Sequence, residues 1–399
     1  MKRIKDAVYW VGKVDWEVRR FHGTEYSTHR GTSYNAYLVR DEKTVLIDTV
    51  WDVFGMQFVE HLKNGIDLNE IDFIIANHAE PDHSGALAEL MKHIPDTPIY
   101  CTQNAIKSLK GHFHQDWNFV PVKTGDRLSL GSRELMFIEA PMLHWPDSMF
   151  CYLTEDHILF SNDAFGQHCA TARLYNDLVD QGELYQEGIK YYANILTPFS
   201  GLVMNKIEEF QSLNLPLEMI CPSHGVIWRI EPLQIIEKYR EWSQDYQKDQ
   251  ITIVYDTMYN GTRAMAESIA EGIGRVDQDV AVKLFNISRT DKNDVITEVF
   301  KSKCMLLGSP TINRGILSAV AGFLEEIRGL SFKNKRAAAF GTYGWSGESV
   351  KLIEKGLEEA GFDLLVEGIR SLWNPDTDVL RQCLDLRKEI GNRTKRNPG

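Results

Sequence analysis

The apolar positions of residues 251–399 alternate regularly between continuous runs and helical spacing. The continuous runs predict five strands, at 251–255, 280–287, 304–310, 336–344 and 363–369. The helical spacing predicts helices at about 262–274, 291–301, 315–328, 347–360 and 376–391. Strands that are apolar along their length and alternate with helices indicate a parallel sheet covered on both faces. This half is therefore predicted to be an α/β domain with a doubly wound, five-stranded parallel sheet.

Residues 1–249 follow a less regular pattern of short apolar runs, turns and helices. The runs at 34–40 and 44–50 flank three polar residues and predict a hairpin. Further strands are predicted at 8–12, 73–78, 98–102, 135–141, 157–163 and 219–224, and the last helix at 231–247. A polar segment, 244–250, follows this helix. We therefore predict an α+β domain at 1–249 and the α/β domain at 250–399.

Composition and charge exclude several classes of protein. A chain of 399 residues is too long for one ordinary hydrophobic core, which agrees with two domains. The formal net charge of −12 disfavours nucleic acid and anionic membranes as partners. No apolar run reaches the length of a membrane span or of a signal peptide. The six cysteines form no C-x-x-C pair and are expected to be reduced thiols, so we expect a cytoplasmic protein.

Seven histidine and carboxylate side chains lie where predicted strands of the first half end. They are His78, Glu80, Asp82 and His83, within six residues, and His144, Asp163 and His224 after later strands. Because strand ends deliver side chains to one edge of a sheet, we expect these residues to meet there. Three histidines and three carboxylates of this set would be enough for two metal sites that share one carboxylate.

The pattern H-x-E-x-D-H, followed by His, Asp and His in this order, resembles the flavodiiron branch of the metallo-β-lactamase superfamily. The phrases DWEVRRFHGTEY, PIYC, MLHWPDSM and SNDAFGQH are similar to the core of the nitric oxide-reducing flavorubredoxins in that branch. The resemblance implies a metallo-β-lactamase-like αββα sandwich that holds two irons. It implies that one iron takes His78, Glu80 and His144, that the other takes Asp82 and His224, and that Asp163 bridges them. For His83, binding iron and turning away from it both stay open.

Glu80 distinguishes this pattern from the hydrolytic branch, which has a histidine in its place and binds zinc. A carboxylate adds an anionic oxygen and favours the harder, redox-active iron. His22, Tyr191 and Tyr192 resemble pocket residues of the family and are candidates for catalytic roles, with packing as the alternative. Five other histidines, at positions 61, 93, 112, 114 and 157, are expected to be surface or hydrogen-bonded residues and not metal ligands.

Three loops follow the first, third and fourth predicted strands of the second half. Hydroxyl and amide side chains at the start of the first helix can hold a phosphate, and no lysine accompanies them as in nucleoside triphosphate sites. The loops share the edge of the sheet where doubly wound folds bind ligands. They resemble the FMN loops of flavodoxins and flavodiiron proteins, which implies a flavodoxin-like domain. The candidate FMN-binding residues are Thr257, Met258, Tyr259, Asn260, Gly261, Thr262, Ser309, Pro310, Thr311, Ile312, Asn313, Thr342, Tyr343, Gly344, Trp345, Ser346 and Gly347. For Trp345, packing in the core is the alternative.

The resemblance implies an oxidoreductase that reduces nitric oxide to nitrous oxide, or dioxygen to water, at two irons that receive electrons from FMN. It implies a rubredoxin-type electron donor and a head-to-tail homodimer or a dimer of such dimers. The flavorubredoxins carry a rubredoxin domain after the flavodoxin-like domain, and we expect it here to be a separate protein or to have been removed. The alternative function is a zinc metallo-hydrolase with an appended flavodoxin-like domain.

Overall fold

The computed structural model describes residues 1–276 and 278–394, which form two compact units. The first comprises Met1–Tyr192 and Phe199–Ser243, and the second comprises Ala193–Pro198 and the residues from Gln244 onward. The domain boundary predicted at 249/250 stays a prediction, and residues 395–399 of the predicted second domain lie outside the described part. Among the helices in the described ranges, none combines the length and the apolar character needed to cross a membrane.

The first unit is built on two β-sheets. The strands of the larger sheet are, in spatial order, Lys2–Lys5, Val8–Trp10, Tyr37–Arg40, Thr44–Ile47, Ile71–Ile75, Ile99–Thr102 and Phe119–Val122. Those of the smaller sheet are Arg127–Ser129, Glu134–Glu139, Met149–Leu153, Ile158–Asn162 and Met219–Pro222. Two short ribbons pair Lys13–Asp15 with Thr32–Tyr34 and Arg20–Phe21 with Tyr26–Ser27.

Helices cover the outer faces of the two sheets of this unit. They are Gly55–Lys63, Pro81–Ser84, Leu87–Leu90, Gln103–Phe113, Gln181–Tyr191, Ser200–Ser212 and Leu233–Ser243. Alternate strand residues face opposite sides of the larger sheet. Leu38 packs with helix residues such as Leu62, whereas its neighbour Val39 packs with Phe137 of the smaller sheet. This arrangement confirms the predicted αββα sandwich, and the strands that carry candidate ligands end at one of its edges.

The second unit has a parallel sheet with helices on both faces. Its strands are, in spatial order, Ala281–Asn286, Lys248–Tyr255, Ser302–Gly308, Arg336–Tyr343 and the pair Asp363–Leu364 and Ile369–Leu372. The helices are Gly261–Val276, Lys292–Lys301, Ser318–Leu330, Ser349–Glu359 and Thr377–Thr394. The flavodoxin-like doubly wound sheet is confirmed, but the predicted continuous fifth strand is wrong. Two short strands replace it, and both pair with Arg336–Tyr343.

Candidate metal centre and cofactor cavity

Residues 78–83, which carry four of the candidate ligands, lie between the end of a strand and a short helix. His78 follows the strand Ile71–Ile75, and Glu80 precedes the helix Pro81–Ser84 as its N-cap residue. Proline suits the first helical position because its fixed φ matches the helix and its missing N–H needs no partner. The helix then carries Asp82 and His83 in its only turn. The local sequence therefore brings four ligand-type side chains to one edge of the sandwich.

Four residues form a first group in which ligand atoms converge. They are His78, Glu80, His144 and Asp163, with one ligand atom of each within 4.8 Å of the others. His78 Nε2 and His144 Nε2 each lie 3.2 Å from Glu80 Oε2. His144 Nε2 also lies 3.2 Å from Asp163 Oδ2. The group can surround one cation with two imidazole nitrogens and two carboxylates.

A second group consists of Asp82, His83 and His224, all buried. His224 Nε2 lies 3.2 Å from Asp82 Oδ2, and His83 Nε2 lies 3.4 Å from Asp82 Oδ1. His83 thus points a ring nitrogen into this group instead of turning away. The sequence left that orientation open.

Asp163 connects the two groups through its two carboxylate oxygens. Oδ2 faces His144 of the first group, whereas Oδ1 lies 2.9 Å from His83 Nε2 and 3.5 Å from His224 Nε2. Ser223 donates a hydrogen bond of 2.7 Å to Oδ1 and fixes the orientation of the carboxylate. A carboxylate placed in this way can bridge two cations.

The electrostatics of the cluster match a site for cations. Burial lowers the pKa of His144, but Asp163 and Glu80 outweigh it and raise that pKa to about 9. Burial also lowers the pKa of His83, but the carboxylates of Asp82 and Asp163 outweigh this effect and raise that pKa to about 9. Burial favours a higher pKa for Asp163, but the imidazoles of His83 and His144 hold it well below its usual range. The carboxylates thus create a negative potential that stabilises positive charge at this edge.

The donor set and its unpaired atoms fit a pair of metal ions. Asp82 Oδ1 and Asp163 Oδ2 are buried without a hydrogen-bond partner among the described residues. A buried, unpaired carboxylate oxygen is costly unless a cation or a hydrogen bond compensates it. Four imidazoles with three carboxylates give the mixed nitrogen and oxygen ligands that suit iron.

Two buried acceptors orient the candidate ligands from behind, and the sequence did not reveal them. Asp147 Oδ2 accepts hydrogen bonds from His78 Nδ1 at 3.0 Å and from the Ala79 backbone N–H at 2.7 Å. The carbonyl oxygen of Ser33 accepts one from His224 Nδ1 at 2.7 Å. Each bond directs the other ring nitrogen, Nε2, towards the metal group. Asp147 lies in the turn between the strands Glu134–Glu139 and Met149–Leu153, and its local sequence does not mark it as a partner of His78.

The three candidate pocket residues have different surroundings. His22 Nε2 lies 3.1 Å from Glu80 Oε1, so its ring reaches the first group. Tyr191 is buried, and its ring centroid lies 5.5 Å from that of His168. Tyr192 packs instead against Tyr239 and Trp242, and its hydroxyl donates to Ser200. The structure therefore brings His22 to the ligands and places Tyr192 in an aromatic cluster of the core.

Two other histidines lie close to the centre without joining it. The ring centroid of the buried His168 lies 4.5 Å from that of His224, with the two rings tilted by 48°, and Thr32 Oγ1 lies within hydrogen-bond distance of both imidazoles. Burial lowers the pKa of His168 well below its usual value, so the ring is neutral. The exposed His112 stacks on Trp145, which in turn contacts the ring of His78. His168 was missed because only the fold brings it to the ligands.

A cavity of about 850 Å³ opens at the carboxyl edge of the parallel sheet in the second unit. The predicted residues that line it are Met258, Tyr259, Gly261, Pro310, Thr311, Ile312, Asn313, Thr342, Tyr343, Gly344, Trp345 and Ser346. Trp345 is 89% exposed, so packing in the core is the wrong alternative for this residue. Three residues that were not predicted from the sequence also line the cavity: Arg314, Trp373 and Asn374.

Five predicted residues support the loops without lining the cavity wall. They are Thr257, Asn260, Thr262, Ser309 and Gly347. Thr262 is buried and shares a hydrogen bond of 3.0 Å with the Thr342 hydroxyl, which joins the first and third predicted loops. Ser309 Oγ accepts a hydrogen bond from the Leu317 N–H and fixes the middle loop.

The cavity fits a mononucleotide flavin in size and in chemistry. Its volume lies within the usual range for cofactor sites. The helix Gly261–Val276 begins at the cavity and offers unpaired N–H groups for a phosphate. A Cβ at Gly344 would lie 2.8 Å from the Trp373 ring, so glycine keeps this space open. Exposed aromatic rings of Tyr259, Trp345 and Trp373 stand around the mouth and can flank a planar ring system.

Comparisons with known proteins agree with both sites. The family model described as ODP family beta lactamase matches residues 32–225, and the flavodoxin model matches residues 253–385. The anaerobic nitric oxide reductase flavorubredoxin of Klebsiella pneumoniae is 56% identical over 99% of this chain and 82% of its own length. The rubredoxin oxygen:oxidoreductase of Desulfovibrio gigas superposes with a TM-score of 0.95 at 36% identity, over 99% of this chain and 98% of its own. The flavodiiron protein of Giardia intestinalis gives a TM-score of 0.92 at 34% identity over both full chains.

Proposed function

The chain belongs to the flavodiiron protein family, oxidoreductases that use a diiron site and FMN, and we propose that it reduces nitric oxide to nitrous oxide. The observation that carries the proposal is Asp163, whose two oxygens face two separate ligand groups. The name of the Klebsiella relative supports nitric oxide as the substrate. The name of the Desulfovibrio relative supports dioxygen as a second substrate of the same site.

In the proposed centre, His78, Glu80 and His144 would hold one iron, and Asp82, His83 and His224 would hold the other. Asp163 would be shared by the two groups, and including His83 goes beyond the set that the sequence implied. When bound, the irons and the flavin would supply the electrons: two electrons and two protons convert two nitric oxide molecules to nitrous oxide and water, and four electrons and four protons convert dioxygen to two water molecules.

The side chains around the ligands set their orientation and provide a route for protons. Asp147 and the Ser33 carbonyl keep the Nδ1 proton on His78 and on His224, which leaves each Nε2 free for a metal. His22 holds Glu80 Oε1 while part of its ring stays in contact with solvent. We propose that His22 passes protons from solvent to the site at its Nε2 atom. His22→Gln should slow turnover at low proton concentration while the iron content stays unchanged.

Metal analysis tests the diiron assignment directly. Protein made with sufficient iron should hold about two irons per chain, since three carboxylates favour iron over zinc. Asp163→Ala should lose metal and activity together because it removes the proposed bridge. His93→Ala is the matched control, since His93 is exposed and belongs to neither ligand group. Two zinc ions, no iron and a hydrolase activity would contradict the proposal. The relatives do not favour that zinc hydrolase alternative.

The cofactor released from the second unit should be FMN, because the cavity has one phosphate-binding helix start. Thr257→Ala and Thr262→Ala should weaken flavin retention and leave the iron content intact. Thr262 would act partly through its hydrogen bond to Thr342, which shapes the loop. Recovery of FAD after heat release would contradict the assignment, and so would full flavin retention in both variants.

We further propose a rubredoxin-type electron donor and a head-to-tail homodimer, alone or as a dimer of dimers, in the cytoplasm. The family resemblance supports the arrangement in which the FMN of one chain serves the irons of the other. Complementation tests it: co-express a metal-deficient chain (His78→Ala with Asp82→Ala) and a flavin-deficient chain (Thr257→Ala with Thr262→Ala). Random pairing makes about half of the dimers mixed, so about a quarter of the wild-type activity should return. No recovery in mixed dimers would place the functional unit within one chain.

A further inference from the structure

Arg314 occupies an unfavourable backbone position at the cofactor cavity. Residues 312–315 form a tight turn in which the Gly315 N–H donates to the Ile312 carbonyl at 2.7 Å. The two central residues, Asn313 and Arg314, both have positive φ, at 49° and 60°. A turn with positive φ at both central positions is of type I′, which favours Asn followed by Gly. Asn313 suits its position, whereas Arg314 stands where glycine would relieve strain.

In the described part of the chain, no polar or ring contact of the Arg314 side chain offsets this strain. Among the described residues, no hydrogen bond, ion pair or ring contact reaches its guanidinium group. It is the single charged residue in the described wall of the 850 Å³ cavity. Strained residues that the surrounding fold does not use for packing are often retained for a ligand. The ligand of this cavity would therefore interact with a positive charge.

We propose that Arg314 stabilises the negative charge that FMN gains on reduction and thereby raises the reduction potential of the flavin. This inference rests on the proposed function, which places FMN in the cavity. On reduction, FMN takes up two electrons from a reductant, which is oxidised, and one proton from water. The flavin ring then carries one additional negative charge. A cation at the ring binds the reduced form more tightly than the oxidised form, and that difference shifts the potential.

Three variants of the full, iron-loaded chain separate charge from backbone strain. Arg314→Asn removes the charge and accepts positive φ, and Arg314→Lys keeps the charge. Arg275→Gln is the control, because Arg275 is an exposed cation near the opposite end of the helix Gly261–Val276, pairs with Glu271 and does not line the cavity. The flavin potential is measured by dithionite titration against a reference dye, and flavin content by absorbance after release.

Arg314→Asn should weaken the preference for the reduced flavin by about tenfold, which is about 30 mV for a two-electron couple. Arg314→Lys should retain most of the potential, and Arg275→Gln all of it. The flavin-free Arg314→Asn protein should melt no lower than wild type, since asparagine relieves the strain. An unchanged potential in Arg314→Asn would overturn the inference, as would equal shifts in Arg314→Asn and Arg275→Gln. An unchanged potential with slower reduction by a rubredoxin would also overturn it and assign Arg314 to the donor. Absence of FMN from the wild-type chain would instead refute the proposed function.

Discussion

Replacing Asp147 by alanine should weaken metal binding although no proposed ligand is changed. Its Oδ2 atom accepts hydrogen bonds from His78 Nδ1 and from the Ala79 N–H, at 3.0 and 2.7 Å. The side chains of His78 and Asp147 are fully buried, so water cannot replace the lost acceptor. Each buried donor left unpaired costs about 1–3 kcal/mol, which gives a loss of about 2–6 kcal/mol in stability. The loss of orientation at His78 should reduce metal affinity by about 10- to 100-fold.

Two measurements separate the positioning role of Asp147 from a purely structural one. Iron retained during dialysis against increasing chelator reports the metal affinity, and thermal unfolding of the metal-free protein reports the stability. Asp147→Asn keeps one acceptor oxygen and should lie between wild type and Asp147→Ala in both. Asp156→Ala is the matched control, since Asp156 is a buried carboxylate of the same unit that pairs with Arg133. It should lose stability and keep its metal affinity.

One outcome would exclude an orienting role for the Asp147 carboxylate. If Asp147→Ala loses stability as Asp156→Ala does, but holds iron against the chelator as firmly as wild type, then the carboxylate does not orient His78. The ring would in that case be fixed by its packing against Trp145, 5.0 Å away.

Two further predictions concern the second unit. Burial lowers the pKa of Lys335 to about 7 from its ordinary value of about 10.4. Between these pH values the unfolded chain therefore binds more protons than the folded chain. The free energy of unfolding should consequently rise with pH from about 7 to about 10. Urea unfolding across this pH range should show the rise for the wild-type protein and no rise for Lys335→Met. A flat wild-type profile would contradict the prediction and show that the three backbone carbonyls bonded to the Lys335 amine keep it charged. Gly344→Ala should lower the FMN content and leave the iron content unchanged, because the added Cβ would lie 2.8 Å from the Trp373 ring. Gly322→Ala is the control and should keep its FMN, because its added Cβ would meet nothing within 4 Å.

Most of the fold could be predicted because each strand and helix carries its own periodicity. In the second unit, apolar runs and helical spacing follow directly from a sheet that is covered on both faces. The interrupted fifth strand could not be predicted in this way. Leu365 still donates to the Ala337 carbonyl, but a Cβ at Gly368 would lie 3.0 Å from the Ala339 oxygen and 2.3 Å from Val350. That break is set by contacts with other elements and leaves no periodic signal.

The candidate ligands were visible in the sequence because residue type and position coincide. Histidines and carboxylates directly after apolar strands are unusual, and their order along the chain adds a second constraint. Asp147 and Arg314 satisfy neither condition, since each lies in a turn, where charged residues are common. Their roles depend on burial and on backbone φ, which only the three-dimensional structure supplies.

The turn around Asp163 explains why the bridging geometry needs the whole fold. Asn162 and Phe165 lie on either side of this residue with positive φ, at 51° and 69°. Asparagine tolerates this region, whereas the bulky phenylalanine avoids it at a cost of about 1–2 kcal/mol. One local and one tertiary hydrogen bond hold the strained backbone in place: Ser161 Oγ donates to the Ala164 carbonyl within the turn, and Trp228 Nε1 donates to the Phe165 carbonyl from a distant segment. A relaxed turn would aim the Asp163 carboxylate elsewhere. The division of its oxygens between two ligand groups is therefore a property of the packed first unit, and the local sequence alone would favour a different turn.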